Sequence, residues 1–443
     1  MPTETSTPPP GDTIAKLPDK LLKNRNFVLL ATGQAISNIG DFVFATTLLV
    51  WVFSLTHSAG AISGVLIAQN IPVFVLGPIA GVFVDRWNRR STMVATDLLR
   101  MAFALLPFVV PASLRLPAIY ASVFAISAFS RFFMPARMGV MQVIVAPEQQ
   151  TRAASIGQAT FALSFIIGPA IASPLYFLVG PFIACSINAI SFLVSALCLI
   201  ALRAPRKALH PYIQSGKSGA GAIVSEVYAG LHFIVKSRVL YAVMILALIA
   251  FLGVGALNAL DIIFVVQRLH VSASLYGPLT AVSGLGTLIG AIVIGIFANR
   301  FKPSRLLSCC VLLLGTGIVV YAFQTWYALA LVVYFLSGLP QGGIDIAFGP
   351  LMIHATPRAM MGRVDAVMET GMSGMSLISL TLAGFLGQFV PVYIIFAACG
   401  ALIALAGVFG FIALPRNVVP IEEPDLTSQA NLQTTKERGN IYG

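Results

Sequence analysis

The chain has 443 residues, of which 58% are hydrophobic and only 10% are charged, and its mean hydropathy is +0.90. A soluble domain of this size needs a largely polar surface, so the composition excludes a soluble globular protein and predicts an integral membrane protein. The net charge of +11 would suggest a nucleic-acid partner in a soluble protein, but in a membrane protein it is a topology signal, and we expect no nucleic-acid partner.

Twelve apolar stretches follow one another along the chain. Each has the roughly 20 residues that a helix needs to cross a hydrocarbon core about 30 Å thick. Their apolar residues run continuously, without the alternation of barrel strands, so we predict an all-α protein with twelve transmembrane helices. We number them as spans 1 to 12: residues 27–53, 60–84, 91–111, 116–136, 155–179, 181–202, 239–266, 274–298, 305–323, 326–348, 364–388 and 391–414.

Polar segments divide this pattern into a predicted N-terminal tail (1–26), a six-helix bundle (27–202), a linker (203–238), a second six-helix bundle (239–414) and a C-terminal tail (415–443). The first tail is polar and proline-rich, so we expect no cleavable signal peptide. Apolar residues at helical spacing in the linker predict a short amphipathic helix on the membrane surface: Ile223, Val227, Leu231 and Ile234.

The basic residues predict the orientation of the spans. With both termini in the cytoplasm, all but four of the 27 Lys and Arg residues fall in the tails and cytoplasmic loops. Of the four exceptions, Arg115 and Arg268 lie in outer loops, and Arg100 and Arg131 lie inside spans. By the positive-inside rule, this asymmetry predicts a multi-pass protein of the plasma membrane with both termini cytoplasmic.

An internal repeat relates the two bundles. Residues 81–90, GVFVDRWNRR, share Gly, Phe and Arg with residues 295–304, GIFANRFKPS, which lie 214 positions later. The same offset aligns residues 55–63 with 269–277 without a gap. The two halves are therefore predicted to be parallel repeats, with a charged stretch at the cytoplasmic ends of spans 2 and 8.

The first charged stretch has a physical interpretation of its own. Gly81 lets another helix approach closely, and the Asp85 carboxylate can accept hydrogen bonds from the free N–H groups that begin a neighbouring helix. Asn299 occupies the place of Asp85 in the second repeat, so any gate built on this carboxylate is asymmetric. The alternative is that Arg86, Arg89 and Arg90 act only as topology determinants.

The stretch GVFVDRWNRR also resembles the signature that the major facilitator superfamily carries between helices 2 and 3, although Asn88 stands where that pattern usually has Gly. Further motifs, from about residue 24 to 415, are similar to those of the drug:proton antiporter branch that includes macrolide efflux proteins: GQAISNIGDFVFATTLL in span 1, DLLR at 97–100, FFMPAR at 132–137, IGPA at 167–170 and GRVDAV at 362–367.

The resemblance implies the major facilitator fold, a monomer, and a contact between Asp85 and the start of span 11 near Arg363. This contact would close the cytoplasmic side in the outward-open state and break in the inward-open state. The residues that we assign to this cytoplasmic gate, from the signature and from nearby charges, are Gly81, Asp85, Arg86, Arg89, Arg90, Asp97, Arg100 and Arg131.

Ionisable residues inside the spans are candidates for coupling, because each costs about 2.5–3.5 kcal/mol at a helix centre. Asp41 lies near the middle of span 1, without a basic residue in that span, and the resemblance supports a role for its Gly-Asp pair in proton coupling. The alternative is a structural carboxyl bonded to Ser37 or to another helix. Glu369 and Asp345 are secondary coupling candidates, and we expect Asp261 to reach water at the outer end of span 7.

Asp97 and Arg100 are three residues apart and therefore share one face of span 3, where we expect an internal ion pair. Arg131 in span 4 could complete a network with them. In span 5, Gly168 and Pro169 remove a hydrogen bond and permit a bend. Antiporters of this kind usually continue with a glycine pair, where this chain has Ala172 and Ser173.

Other signals predict no cofactor, no metal site and no enzymatic activity. The cysteines all fall in spans, without metal-ligand spacing, and SGKS at 215–218 lacks the first glycine and the preceding strand of a phosphate-binding loop. We predict a secondary active exporter of lipophilic or amphipathic small molecules, coupled to protons. The aromatic residues that we expect to be available to line its cavity are Phe42, Phe44, Phe124, Phe264 and Phe348.

Alternatives on the same fold are a lipid or siderophore exporter and an uncoupled facilitator. A non-transporting membrane receptor is an alternative from another class, and it predicts no substrate-dependent flux.

Overall fold

The computed structural model describes residues 21–84, 86–203, 220–297, 300–357 and 360–415. These residues form α-helices and short 3-10 turns, and no strand occurs among them. The α-helices are α1 (Arg25–Thr56), α2 (Ala59–Val84), α3 (Arg89–Val109), α4 (Arg115–Ile144), α5 (Gln150–Ile200), α6 (Ala220–Lys236), α7 (Arg238–Gln267), α8 (Tyr276–Phe297), α9 (Pro303–Ala322), α10 (Tyr327–Ala355), α11 (Met361–Leu386) and α12 (Val392–Ala413).

Polar residues define where several of these helices begin. The Asn24 side chain accepts hydrogen bonds from the backbone N–H groups of Asn26 (3.1 Å) and Phe27 (3.3 Å), and so caps α1. Ser237 caps α7 in the same way, through the N–H of Leu240. These caps satisfy N–H groups that the first turn of a helix leaves without an intrahelical partner.

Helix α5 contains a single interruption. Gly180 has φ 82° and ψ 170°, a backbone conformation that is open to glycine and costly for other residues. Pro181 follows and cannot donate a backbone hydrogen bond to the preceding turn. The interruption lies at the boundary predicted between spans 5 and 6, although the helix continues on both sides of it.

Within the described residues, ten helices are long and apolar enough to cross a membrane, with α5 counted once. Helices α6 and α11 are not among them. Helix α6 has only 17 residues, and it lies where the amphipathic linker helix was predicted. Helix α11 has 26 residues but carries Arg363, Asp365 and Glu369 in its first third, which lowers its hydropathy.

The helices pack as two sets joined by a few cross-contacts. In the first set α1 packs on α5, α2 on α4, and α3 on both α4 and α5. In the second set α7 packs on α11 and α12, α8 on α10, and α9 on both α10 and α12. Helix α2 contacts α11, and α5 contacts α8, so these two pairs join the sets.

The hydrophobic core is shared at one end of the molecule and divided at the other. One buried cluster combines both sets, for example Trp51 and Phe192 with Phe264 and Phe396. Two further clusters each belong to one set: Phe27 and its neighbours to the first, and the cluster around Ile403 to the second. We refer to the shared end, where α5 meets α8 and α2 meets the last turn of α11, as the closed end, and to the opposite end as the open end.

Glycines allow α8 and α10 to pack backbone against backbone. A Cβ atom on Gly286 would collide with the carbonyl oxygen of Phe335, and one on Gly290 with that of Leu339. Backbone contact this close indicates that both glycines serve helix packing.

Gly290→Val should therefore lower the yield of folded protein and its melting temperature, because the added side chain meets backbone that cannot rotate away. Overpacking of a core costs about 1–3 kcal/mol, and a backbone collision costs more. Thermal unfolding of the purified protein in detergent measures this. Gly295→Val is the matched control, since the nearest atom lies 3.9 Å from its Cβ position. Equal melting temperatures for the two variants would contradict the packing described here.

Candidate transport site and gate

A buried ion pair lies inside the first helix set. The Asp97 and Arg100 side chains on α3 are 0% and 3% exposed and form the predicted ion pair one turn apart. The Arg100 guanidinium also lies 4.5 Å from the ring centroid of Phe133 and 4.6 Å from that of Phe192. These rings enclose the cation and contribute cation–π attraction, which strengthens when water is excluded.

Asp41 on α1 lies within electrostatic range of both members of this pair, with the Asn188 side chain of α5 beside it. Helix α1 approaches α5 closely here, because a Cβ atom on Gly40 would collide with the Ser191 hydroxyl. The sequence offered Asp41 no basic residue in its own span, whereas the fold brings Arg100 to it from α3. The Arg100 guanidinium forms its ion pair with Asp97, so the three groups together carry one uncompensated negative charge when both carboxylates are ionised.

We call Asp41, Asp97 and Arg100 the charge cluster. Replacing Arg100 by Met should destabilise the protein by about 3–5 kcal/mol, because it leaves Asp97 buried without its cation. The measurement is the melting temperature of the purified protein. The double variant Asp97→Asn/Arg100→Met removes both charges and should recover most of the loss. An Arg100→Met variant as stable as the wild type would contradict the importance of this ion pair.

Arg131 on α4 connects the two helix sets instead of joining the charge cluster. Its Nη1 lies 4.0 Å from Oε1 of Glu369 on α11. The Glu369 side chain is 65% exposed and that of Arg131 is 27% exposed, so solvent screens this pair and its contribution to stability is small. The predicted network of Arg131 with Asp97 and Arg100 is thus replaced by a contact across the two sets.

The basic residues of the predicted gate make contacts within the first helix set. Arg89 donates to the carbonyl oxygen of Gly139 on α4 at 3.3 Å. Arg90 donates from Nε to the carbonyl oxygen of Leu199 at 2.8 Å and also to that of Ile200, at the C-terminal end of α5. A cation at this place stabilises the last carbonyls of the helix and the negative end of the helix dipole.

Two other signature residues, Gly81 and Arg86, lie at the open end, and Arg86 is exposed. Asp85 is outside the described residues. No atom of another described element lies within 4 Å of the position that a Cβ would take on Gly81. The close approach predicted at Gly81 is therefore not made in this conformation, and the gate assignment stays a prediction.

Gly168 and Pro169 form contacts within the closed end. A Cβ atom on Gly168 would collide with Phe42 of α1, and one on Gly277 of α8 would collide with the carbonyl oxygen of Pro169. The backbone of α5 stays helical through both residues. Their role as a bend during transport stays a prediction.

Ser173 stands at one of the two positions where antiporters of this kind usually have glycine, and its side chain makes a contact that glycine lacks. Its hydroxyl oxygen accepts a hydrogen bond from the backbone N–H of Gly277 at 3.0 Å. This bond crosses between the two helix sets, and a glycine at this position could not make it. The hydroxyl thus links α5 to α8 at the closed end.

Three other predictions from the sequence are wrong, because the side chains concerned are buried. Asp261 was expected to reach water, but its side chain is 3% exposed, because Tyr321 and Tyr334 cover it. Phe44 and Phe264 were offered as cavity surface, but both are buried in the core cluster of the closed end. These corrections have one cause: hydropathy does not distinguish a helix face that meets other helices from one that meets a cavity.

The chain is similar in sequence to known transporters over most of its length. The family described as "Transmembrane secretion effector" matches residues 20–441. An uncharacterized MFS-type transporter of Bacillus subtilis, YkuC, is 26% identical over 442 residues, which cover 95% of this chain and 100% of that protein. Macrolide efflux protein A of Streptococcus pyogenes is 24% identical over 385 residues, or 85% of this chain and 93% of that protein.

The fold also matches solved structures. A bacterial homologue of the iron transporter ferroportin, in its inward-facing state, superposes with a TM-score of 0.69 at 15% identity, over 89% of this chain and 99% of that chain. At this identity the likeness establishes the fold alone. Given the helix architecture and a family match over nearly the whole chain, the protein belongs to the transmembrane secretion effector family of major facilitator superfamily transporters and is a multi-pass membrane transporter, not an enzyme.

Proposed function

We propose that this transporter exports lipophilic or amphipathic small molecules by alternating access, in exchange for protons. The observation that carries the proposal is the charge cluster of Asp41, Asp97 and Arg100, whose net charge becomes zero when it binds one proton. A buried uncompensated charge is costly, so the cluster gains from taking up either a proton or a cationic substrate. Competition between these two for one site is the simplest form of antiport.

We further propose twelve spans in two repeats, with α5 supplying two spans on either side of Gly180. The repeated packing supports this, since the pairs α2 with α4 and α3 with α5 correspond to α8 with α10 and α9 with α12. The asymmetric distribution of basic residues supports cytoplasmic termini and insertion in the plasma membrane. Under this topology the bundles are residues 27–202 and 239–414, the protein is a monomer, and the closed end faces outward.

Alternating access requires that the closed end open and the open end close. The joined core at one end and the divided core at the other support an inward-open conformation. In the outward-open conformation we expect Gly81 and Asp85 to approach the start of α11 near Arg363. The contact between Arg131 and Glu369 lies between the sets and would change in the same movement, which makes Glu369 the second coupling candidate. Asp345, exposed on α10, is the third.

The substrate class follows from the aromatic side chains and from the relatives. Phe42 contacts the rings of Phe161 and Phe165, at centroid distances of 5.3 and 5.4 Å, one residue from Asp41. Apolar and aromatic surface beside a carboxylate suits lipophilic cations better than sugars. The similarity to a protein named macrolide efflux protein A supports an amphipathic drug-like substrate.

Expression in a bacterium that lacks its own efflux pumps tests the proposed function. We expect greater resistance to lipophilic cationic compounds and less accumulation of a lipophilic cationic dye than in cells with an empty vector. Membrane-inserted protein with no effect on resistance to any lipophilic compound, and with unchanged dye retention, would contradict drug export. A lipid or siderophore exporter and a non-transporting receptor both predict unchanged resistance and unchanged dye retention.

A further inference from the structure

A second buried carboxylate lies in the other helix set, outside the charge cluster. The Asp261 side chain on α7 accepts a hydrogen bond at each of its two oxygens. Tyr321 of α9 donates to Oδ1 at 3.1 Å, and Tyr334 of α10 donates to Oδ2 at 3.0 Å. Neither bond is between neighbours in sequence, so the fold builds this arrangement from three helices.

Three tyrosines are the titratable side chains near Asp261. Two of them, Tyr321 and Tyr334, donate the hydrogen bonds, and the third is Tyr276 of α8. Phe264 of α7 and Phe396 of α12 stack next to them, with centroids 4.6 and 5.9 Å from that of Tyr321. No Lys, Arg or His forms an ion pair with Asp261 within the part of the chain that the structure describes.

Two hydroxyl donors offset only part of the cost of burying a carboxylate in such surroundings. The negative charge of Asp261 therefore has no cation among the described residues to compensate it, whereas Arg100 compensates part of the negative charge in the charge cluster. A site of this kind gains free energy from binding a cation.

A cavity of about 120 Å³ lies beside the two tyrosines. It is large enough for several water molecules, since one needs about 10–15 Å³ by this measure. Tyr321 and Tyr334 form part of its wall and also donate hydrogen bonds to the carboxylate, so they connect the cavity to Asp261. Polar side chains form another part of the wall: Asn258, Ser283, Ser337 and Gln341.

We infer that Asp261 is a second proton-binding site of the transporter, loaded from this cavity through the hydroxyls of Tyr321 and Tyr334. This inference rests on the proposed proton coupling and extends it to the C-terminal helix set. A hydronium ion in the cavity gives a proton to a tyrosine oxygen, and the same tyrosine gives its own hydroxyl proton to Asp261. The tyrosine is neutral before and after, the hydronium becomes water, and the carboxylate becomes a carboxyl.

A proton fits this site better than an alkali cation. An alkali cation needs several oxygen lone pairs directed at it, whereas both tyrosine hydroxyls direct their protons at the carboxylate.

The position also relates the site to the closed end. The adjacent residue, Leu260, belongs to the buried cluster that joins the two helix sets. Neutralising Asp261 thus removes a buried charge one residue away from the core that has to separate when the closed end opens.

Infrared difference spectroscopy of the full chain in lipid, recorded between acid and alkaline buffer, tests the inference. We expect a carboxyl C=O band that appears on acidification and is lost in Asp261→Asn. Because a hydrogen bond weakens the C=O bond, Tyr334→Phe should keep this band and move it to higher wavenumber. Asp41→Asn should leave it in place.

Three results would overturn the inference: no difference between wild type and Asp261→Asn, a band that Tyr334→Phe does not move, or a band that sodium ions suppress at constant pH. If Asp261→Asn does not fold, the wild-type and Tyr334→Phe spectra still test whether Asp261 takes up the proton. Failure of the proposed function is distinguishable, because it would remove gradient-driven transport and leave this band intact.

Discussion

Replacing Asp41 by Asn should abolish proton-driven accumulation of substrate and leave substrate exchange largely intact. The substitution preserves shape and removes the carboxyl that can bind a proton, so the cluster of Asp97 and Arg100 that remains is neutral without one. We expect accumulation in liposomes with an acidic lumen to fall at least about tenfold, the change that a loss of 1.4 kcal/mol produces. Exchange of labelled for unlabelled dye needs no net proton movement, so it should continue at a saturating dye concentration, although the variant binds a cationic dye more weakly.

The control for this experiment is Glu148→Gln, which removes an exposed carboxylate from the turn between α4 and α5. It should transport like the wild type. Equal accumulation by Asp41→Asn and the wild type would remove Asp41 from the mechanism and direct the search to Glu369 and Asp345. Loss of both accumulation and exchange would assign Asp41 to substrate binding instead of proton coupling.

Replacing Gly277 by Ala should shift the protein away from the conformation described here. The added methyl group collides with the carbonyl oxygen of Pro169, and this contact joins backbone to backbone across the two helix sets. The closed end cannot form without moving α5 from α8, whereas the atoms nearest to the added methyl group all belong to α5, so the packing within each set is not directly disturbed. We expect the population with the closed end formed to fall by about tenfold or more, and transport to fall with it.

Spin labels at Leu178 and Trp326, which are 81% and 76% exposed, measure this shift as a change in the distance distribution near the closed end. The native cysteines are replaced in the background used for labelling. Gly157→Ala, also on α5, is the matched control, because no described atom outside its own helix lies within 4 Å of its Cβ position. Identical distance distributions for both variants would show that the α5–α8 contact does not control the closed end.

Much of the fold could be predicted from local sequence. Continuous apolar runs predicted the positions of the helices, and the linker pattern predicted α6. The break at Gly180 falls where two spans were separated, because this glycine adopts a positive φ and the proline after it cannot donate a backbone hydrogen bond. The pair Gly168 and Pro169, which stays helical, shows that a glycine followed by a proline is not sufficient for a break.

The hydropathy of α11 is ambiguous because its first third carries Arg363, Asp365 and Glu369. Two of these, Arg363 and Glu369, lie within 4.0 Å of oppositely charged side chains on other helices.

The candidate site was predictable only where its members are neighbours in sequence. The Asp97–Arg100 pair follows from a three-residue spacing on one helix. The approach of Arg100 to Asp41, the contact of Arg131 with Glu369, and the two tyrosines on Asp261 each join different helices. Nothing in a single sequence specifies which faces of distant helices meet. A signal that could have been used is Asp261 itself, an acidic residue in an apolar span with two tyrosines in the spans that follow.

We propose that this transporter uses a proton gradient to accumulate a lipophilic cation. The decisive experiment uses the purified wild-type protein in liposomes with an acidic lumen and a permanently cationic dye, which protonation cannot trap. Potassium and valinomycin hold the membrane potential at zero. We expect the dye to accumulate above its external concentration and to leave when the pH gradient is collapsed. Equilibration to equal concentrations, with or without the gradient, would contradict proton coupling and identify an uncoupled facilitator.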